Sequence, residues 1–360
     1  VGLGNEIVGP NEFAVGRYNR TSGGDSLAIG RHNQVSGKAS TALGIGNEIA
    51  IGTTAVTATG YYTSASGFAS HTEGERTKAS TDFAHAEGSK TEATGYASHA
   101  EGRFTTASGP KSHAEGEFSI SSGDSSHAEG NSTIASGRSS HAEGQSTTAS
   151  GDFSHASGFE SEASGIYSYT EGYQTEASGE AAHAEGAYTT ASGNLSHAEG
   201  IYSQAKGQSS HAEGGNTIAQ NHYAHAEGNY TLADSTAAHA EGSFTSASGV
   251  SSHAEGYYSV ASRKAGYGHA EGQGTLSDNI AAHSEGSYTT ASGIASHAEG
   301  NYSLAKGAYT HAEGYYTTAS SDYSHAEGVY TQTNGLASHA EGYYTTASGE
   351  VSHAEGYYSY

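Results

Sequence analysis

The sequence predicts an all-β protein: a parallel β-roll, or solenoid, of 14-residue coils. Three observations predict it. The pentapeptide Ser-His-Ala-Glu-Gly, as at Ser98 to Gly102, returns every 14 residues over most of the chain. A fixed period of this kind marks an array in which each repeat is one structural unit. Each unit divides into two similar halves of the form [Ser/Thr]-x-Ala-x-Gly-x-x, as in Ser112 to Gly116 followed by Ser119 to Gly123. Alternation then places the small residues of each half on one face of a strand, because successive side chains point to opposite faces.

Taken in order, each element has a reason. The small residues imply a narrow interior where two strands lie back to back. The x-x pairs, with Gly beside them, read as turns, since Gly tolerates positive φ. One repeat is then strand, turn, strand, turn. Stacked at the strand spacing of ~4.8 Å, about 25 coils would extend roughly 120 Å. The histidines run from His71 to His155 and, after Tyr169, from His183 to His253; a two-residue insertion at Arg263 to Gly268 moves the ladder to His269 through His353. A second insertion lies between Gly44 and Gly60. Both can bulge at a turn without breaking the stack. Asn221, Ser235, Arg263, Asn279 and Ser321 stand in place of Gly at the second turn.

Residues 1–60 form N-terminal coils with apolar outward positions, and 61–360 form the His-Glu repeat of one continuous solenoid. At the His and Glu positions the first coils carry Phe13 and Val15, Leu27 and Ile29, Thr41 and Leu43, and Thr57 and Thr59. Exposed to water, these would make an apolar stripe, which marks an interface. The face is therefore expected to pack against other copies of the chain, apolar first and polar beyond.

Composition narrows the function. The 360 residues include 52 Gly and 2 Pro, and no Cys, Met or Trp. Glycine does not recur every third residue, which excludes collagen. No disulfide or thiolate metal site can form. The formal charge is −24 with His neutral, which opposes nucleic-acid binding, where Lys and Arg must neutralise phosphates. No apolar run is long enough to span a bilayer as a helix, so no membrane contact by this segment is expected. The chain starts at Val1 and reads as a fragment or processed product.

Ser26-Leu27-Ala28-Ile29-Gly30 and Ser40-Thr41-Ala42-Leu43-Gly44 resemble the S-V-A-I-G motif of the YadA-like head repeats of trimeric autotransporter adhesins. The Ala-Ser-Gly half-repeats fit as well, so the resemblance covers nearly the whole chain. It implies a left-handed parallel β-roll in an intertwined or side-by-side homotrimer, surface display and adhesion. In that family the Val and Ile of the motif face the trimer interior. Carried over, this places Phe13, Val15, Leu27, Ile29 and Leu43 there. His99, Glu101, His113, Glu115, His127, Glu129, His197, Glu199, His297 and Glu299 follow on the same face. The replacement of Val and Ile by His and Glu is the departure. SHAEG-rich versions also look like fibre segments of Firmicutes bacteria and their phages, which leaves cell-surface adhesin and virion fibre both open. End-to-end filament contacts are a further expectation.

Nineteen coils carry both His and Glu. A bare column of Glu would repel itself, and a column of His beside it relieves that. The favoured reading is an inter-chain His–Glu hydrogen-bond network, with Glu raising the folded-state pKa of the histidines. The alternatives are a solvated polar face, which does not explain the apolar N-terminal residues, and metal held by three symmetry-related histidines on the axis. A metal at every coil is not expected, although an occasional ion is compatible; no cofactor is expected.

Ser, His and Glu in 20 copies do not make a hydrolase, which needs one pre-organised site with an oxyanion hole. The calcium nonapeptide and the P-loop are both missing, and the chain is expected not to be an enzyme. An aromatic turn column remains. It runs through Phe104, Phe118, Tyr188, Tyr202, Tyr230, Phe244, Tyr258, Tyr288, Tyr302, Tyr316, Tyr330, Tyr344 and Tyr358. It reads as stacking between coils or as a platform for glycan or protein contact. Thr106 and Ser108 on the outer face raise ice binding, but Glu162, Glu176, Lys206, Asp234 and Lys306 break that column. The leading expectation is a trimeric extracellular fibre or adhesin shaft, and the alternative is a receptor-recognition module built on the aromatic turns.

Overall fold

The computed structural model describes residues 1–360. The chain forms two compact units, Val1–Ala181 and Ala182–Tyr360. Each is a parallel β-solenoid without helices. No helix is long and apolar enough to cross a membrane.

In the first unit, each coil contributes a five-residue strand, such as His99–Arg103, and a two-residue strand, such as Thr106–Ala107. The long strands pair in parallel with the next coil, His113 with His127 and Glu115 with Glu129. The short strands do the same, Thr106 with Ile120. Identical residues therefore stack on one another. The second unit repeats the plan, with His197 beside His211 and Glu199 beside Glu213. The two half-repeats, similar in sequence, are unequal in structure.

The interior is made of small side chains. Ala100, Ala107, Ala198 and Ala205 are fully buried. Buried serines satisfy themselves on nearby carbonyls: Ser98 Oγ donates to Gly95 O at 2.8 Å and Ser196 Oγ to Gly193 O at 2.6 Å. Only the first coils hold larger groups, Val35, Ile49 and Val56.

The turns hydrogen-bond between coils as the strands do. Phe104 N donates to Ser89 O at 3.0 Å, and Lys111 N to Tyr96 O at 2.7 Å. Glycine is not the only residue with positive φ at the turns. Gly102 has φ of 104°, but Phe104 and Lys111, at 60° and 57°, also occupy the left-handed region. Gly109 has an ordinary φ. It is glycine because an added Cβ would lie 2.0 Å from the carbonyl oxygen of Gly123. At this turn glycine answers a close approach of backbones rather than a special dihedral.

Both insertions leave the register intact, as expected. Thr41 pairs with Thr57 and His253 with His269, each 16 residues on. The extra residues project outward, with Ile51, Arg263 and Lys264 exposed.

Candidate functional site

The outward face of the long strands carries the ladder. In the N-terminal coils Phe13 pairs with Leu27, and Val15 with Ile29. Ile29 pairs in turn with Leu43. Phe13 is 55% and Ile29 40% exposed, while Val15, Leu27 and Leu43 are half-buried. The column changes character where Thr57 and Thr59 meet His71 and Glu73.

Beyond that point, imidazole rings stack. His99 and His113 have centroids 4.7 Å apart with planes at 2°. His127 follows at 4.7 Å, and in the second unit His197 and His211 lie at 4.9 Å. His297 and His311 lie at 4.7 Å. In most coils Nε2 looks toward the Glu two residues on in its own strand. The gaps are 3.6 Å for His99–Glu101, 3.8 Å for His113–Glu115 and 3.6 Å for His127–Glu129. His197–Glu199 and His297–Glu299 stand at 3.9 and 3.5 Å. These are charge-range contacts, longer than an ordinary hydrogen bond. The Nε2 atoms of His99, His113, His127, His197 and His297 have almost no solvent access and no hydrogen-bond partner within the chain.

The expected direction of histidine titration is reversed. Desolvation pushes His99, His113, His127 and His297 down from the ordinary imidazole value, and the neighbouring histidine in the column pushes the same way. Glu101 and its equivalents pull upward, but more weakly. A stacked column disfavours charge on any one ring because the next ring is a like charge in waiting. These four rings are thus held toward the neutral form. Among the carboxylates, desolvation and the neighbouring Glu129 raise Glu115.

The rings of the aromatic turn residues stack on one another. Tyr188 stacks on Tyr202 at 4.7 Å, Tyr230 on Phe244 at 5.1 Å and Phe244 on Tyr258 at 4.8 Å. Tyr288, Tyr302, Tyr316, Tyr330, Tyr344 and Tyr358 continue it, with planes within 16°. The rings remain exposed, yet stacking covers their faces, so edges and hydroxyls meet the solvent. All sit at positive φ, as Tyr302 does at 57°. A left-handed residue costs roughly 1–2 kcal/mol, and a stacked aromatic pair returns about 0.5–1.5 kcal/mol. Stacking therefore offsets much of the turn strain.

Two features went unread in the sequence. The second turn carries its own stacked pairs, Phe153 with Tyr167 at 5.1 Å and Tyr309 with Tyr323 at 5.3 Å. Inside the first coils, Asn5, Asn19, Asn33 and Asn47 form a ladder of their own. Asn33 Nδ2 donates to Asn19 Oδ1, Ile29 O and Gly44 O at 2.9–3.1 Å. Their 14-residue spacing was the available signal.

Residues 22–47, 100–126, 114–140, 128–154, 240–262 and 284–310 match the YadA head domain repeat (2 copies). Over these stretches the chain is similar to YadA head repeats. Such head repeats build trimeric, surface-displayed adhesins, whose role is structural and adhesive and which are not of an enzymatic kind. No curated protein matches the chain.

Proposed function

We propose that the chain is a segment of an extracellular, trimeric fibre or adhesin shaft, in which the Phe13–Leu43 and His–Glu columns face two other copies. The observation that carries this reading is the incompleteness of the outward face. Exposed apolar side chains occupy its first coils, and buried imidazole nitrogens without partners occupy the rest. Buried polar groups are normally paired. A second copy brings further donors and acceptors to the same face. Interior alanine methyls contribute only about 0.8 kcal/mol each, so a chain built this way gains much by covering its outer columns. In the trimer, the His and Glu of residues 61–360 take the place that the apolar residues hold in 1–60.

The function of such a segment is mechanical. Coil-to-coil hydrogen bonds run through strands and turns alike and give length, stiffness and resistance to proteolysis. The head-repeat class favours display at a cell surface; a virion fibre uses the same mechanics. Sedimentation equilibrium tests the reading. Three chains of 36.5 kDa per particle support it, and a monomer at all concentrations overturns it.

A receptor-binding reading has an observation of its own. A groove of about 300 Å³ is lined by Tyr316, Tyr330, Tyr344 and Tyr360 together with Thr318, Gln332 and Thr346. Competable binding on a glycan array supports this second reading; a blank array removes its glycan form.

A further inference from the structure

The Glu column of the first unit stops at one coil. There Ser157 occupies the ladder position that pairs with Glu143. Its hydroxyl turns inward to Thr170 O at 3.3 Å. Glu143 then swings to the next coil, with Oε1 3.5 Å from His155 Nε2. His141 has no carboxylate of its own strand in charge range, unlike His127 or His239, and its Nε2, like theirs, has almost no solvent access and no hydrogen-bond partner. One coil back, His127 Nε2 stands 3.6 Å from Glu129 Oε2. His127, Glu129 and His141 each present one ligand atom, all within 4.8 Å of one another. The carboxylates Glu115, Glu129 and Glu143, with Gly130, Gly144 and Gly158, line a groove of about 330 Å³.

The charge at this place lacks compensation. Two unit charges in water interact by about RT at roughly 7 Å, and carboxylates on successive coils are closer than that at ~4.8 Å. No Lys or Arg occupies a ladder position from 99 to 157.

We propose that His127, Glu129 and His141 bind one divalent transition-metal cation of the zinc, cobalt or nickel type, with water from the Glu-lined groove completing its shell. Two imidazole nitrogens and a carboxylate are a ligand set these cations favour. The 3.6 Å His127–Glu129 separation is close to the ~3.4 Å edge of a tetrahedron with ~2.1 Å bonds. Side-chain rotation of His141 brings in the third ligand. Like triads recur in regular coils, as at His239, Glu241 and His253, but there both histidines face a carboxylate of their own strand, at 3.9 and 3.7 Å, whereas His141 does not. All three ligands come from one chain, so the site does not depend on the trimer.

The test is zinc titration by calorimetry, with elemental analysis, on tag-free protein dialysed against chelator. Visible absorption with cobalt reports the coordination geometry. The wild type is expected to take up one ion per chain, with a cobalt spectrum of nitrogen and oxygen ligation. His141→Gln is expected to weaken binding on the order of tenfold or more. Ser157→Glu, which restores the regular ladder, is expected to weaken it as well. His239→Gln, in a regular coil, is expected to leave it unchanged, and circular dichroism should be the same for all. Absence of saturable uptake overturns the proposal. So does uptake of many equivalent ions that is insensitive to His141→Gln, or equally sensitive to His239→Gln.

Discussion

Replacing Gly109 with alanine tests how closely adjacent coils approach. Its φ is ordinary, so the substitution meets no dihedral penalty. The new Cβ would lie 2.0 Å from Gly123 O and 2.5 Å from Gly123 C. Ordinary contact begins at 3.4 Å, so the two turns must part by about 1.4 Å, the difference of those distances. The opening works against the bonds from Ser108 N and Gly109 N to Ser121 O, 2.8 and 3.3 Å long. Overpacking costs roughly 1–3 kcal/mol and each lost hydrogen bond about 1 kcal/mol. Together they give a penalty of about 3 kcal/mol. In a solenoid that penalty stays with the neighbouring coils. Native-state hydrogen exchange should therefore accelerate on the order of a hundredfold in peptides from residues 95–123, and little elsewhere in the unit. Gly266→Ala is the control, because nothing lies within 4 Å of its added Cβ and its φ is ordinary; it should stay within about 0.5 kcal/mol of wild type. Unchanged exchange in Gly109→Ala, or equal damage from both substitutions, would refute the reasoning.

The remaining expectations concern the columns. Folded His99, His113, His127 and His297 bind protons less readily than in the unfolded chain, so their contribution is intact above the ordinary imidazole value of ~6.5 and declines as pH falls through it toward the folded values. Melting temperature should be level from pH 9 to 7 and drop toward pH 5; a rise on acidification contradicts the directions given for His99, His113 and His127. Asn33→Ala removes three donated bonds and the acceptor for Asn47 N, and should cost about 3 kcal/mol in denaturant unfolding of the first coils; Asn33→Thr, which copies Thr63 in the same ladder, should cost less. Tyr302→Ala loses stacks on Tyr288 and Tyr316 and should lower local stability by roughly 1–2 kcal/mol, whereas Tyr302→Phe should be near neutral. Ile29→Glu should raise the concentration at which the particle dissociates, read by sedimentation, and leave the circular dichroism of the coils unchanged.

Much of this architecture was legible because stacking ties register to period. A residue repeated at 14 must lie beside its copy, so the His, Glu and Tyr columns could be placed from spacing alone. The two insertions were legible for the same reason, since only a turn can absorb them. The unequal strands were not, because the half-repeats look alike until their turns are built. The role of Gly109 was hidden because close backbone approach leaves the same mark in sequence as a positive φ. Turn tyrosines in the left-handed region run against local preference, and only the coil-to-coil bonds and ring stacks explain them. The histidine titration was misjudged because sequence displays the neighbouring Glu but not the desolvation, which is the larger effect. The Asn ladder was readable at its own period, but the louder His–Glu repeat drew attention from it.

The central claim is that the His–Glu face meets other copies of the chain while the short-strand face meets solvent. The chain has no cysteine, so a single spin label can be placed on either face. Glu101→Cys and Thr106→Cys, each labelled, allow inter-chain dipolar distances and solvent accessibility to be measured. The account predicts three-spin coupling at short range and an immobilised, protected label at residue 101, with longer distances and a mobile, accessible label at residue 106. A label at 101 that is mobile, water-accessible and uncoupled to any other chain would contradict it.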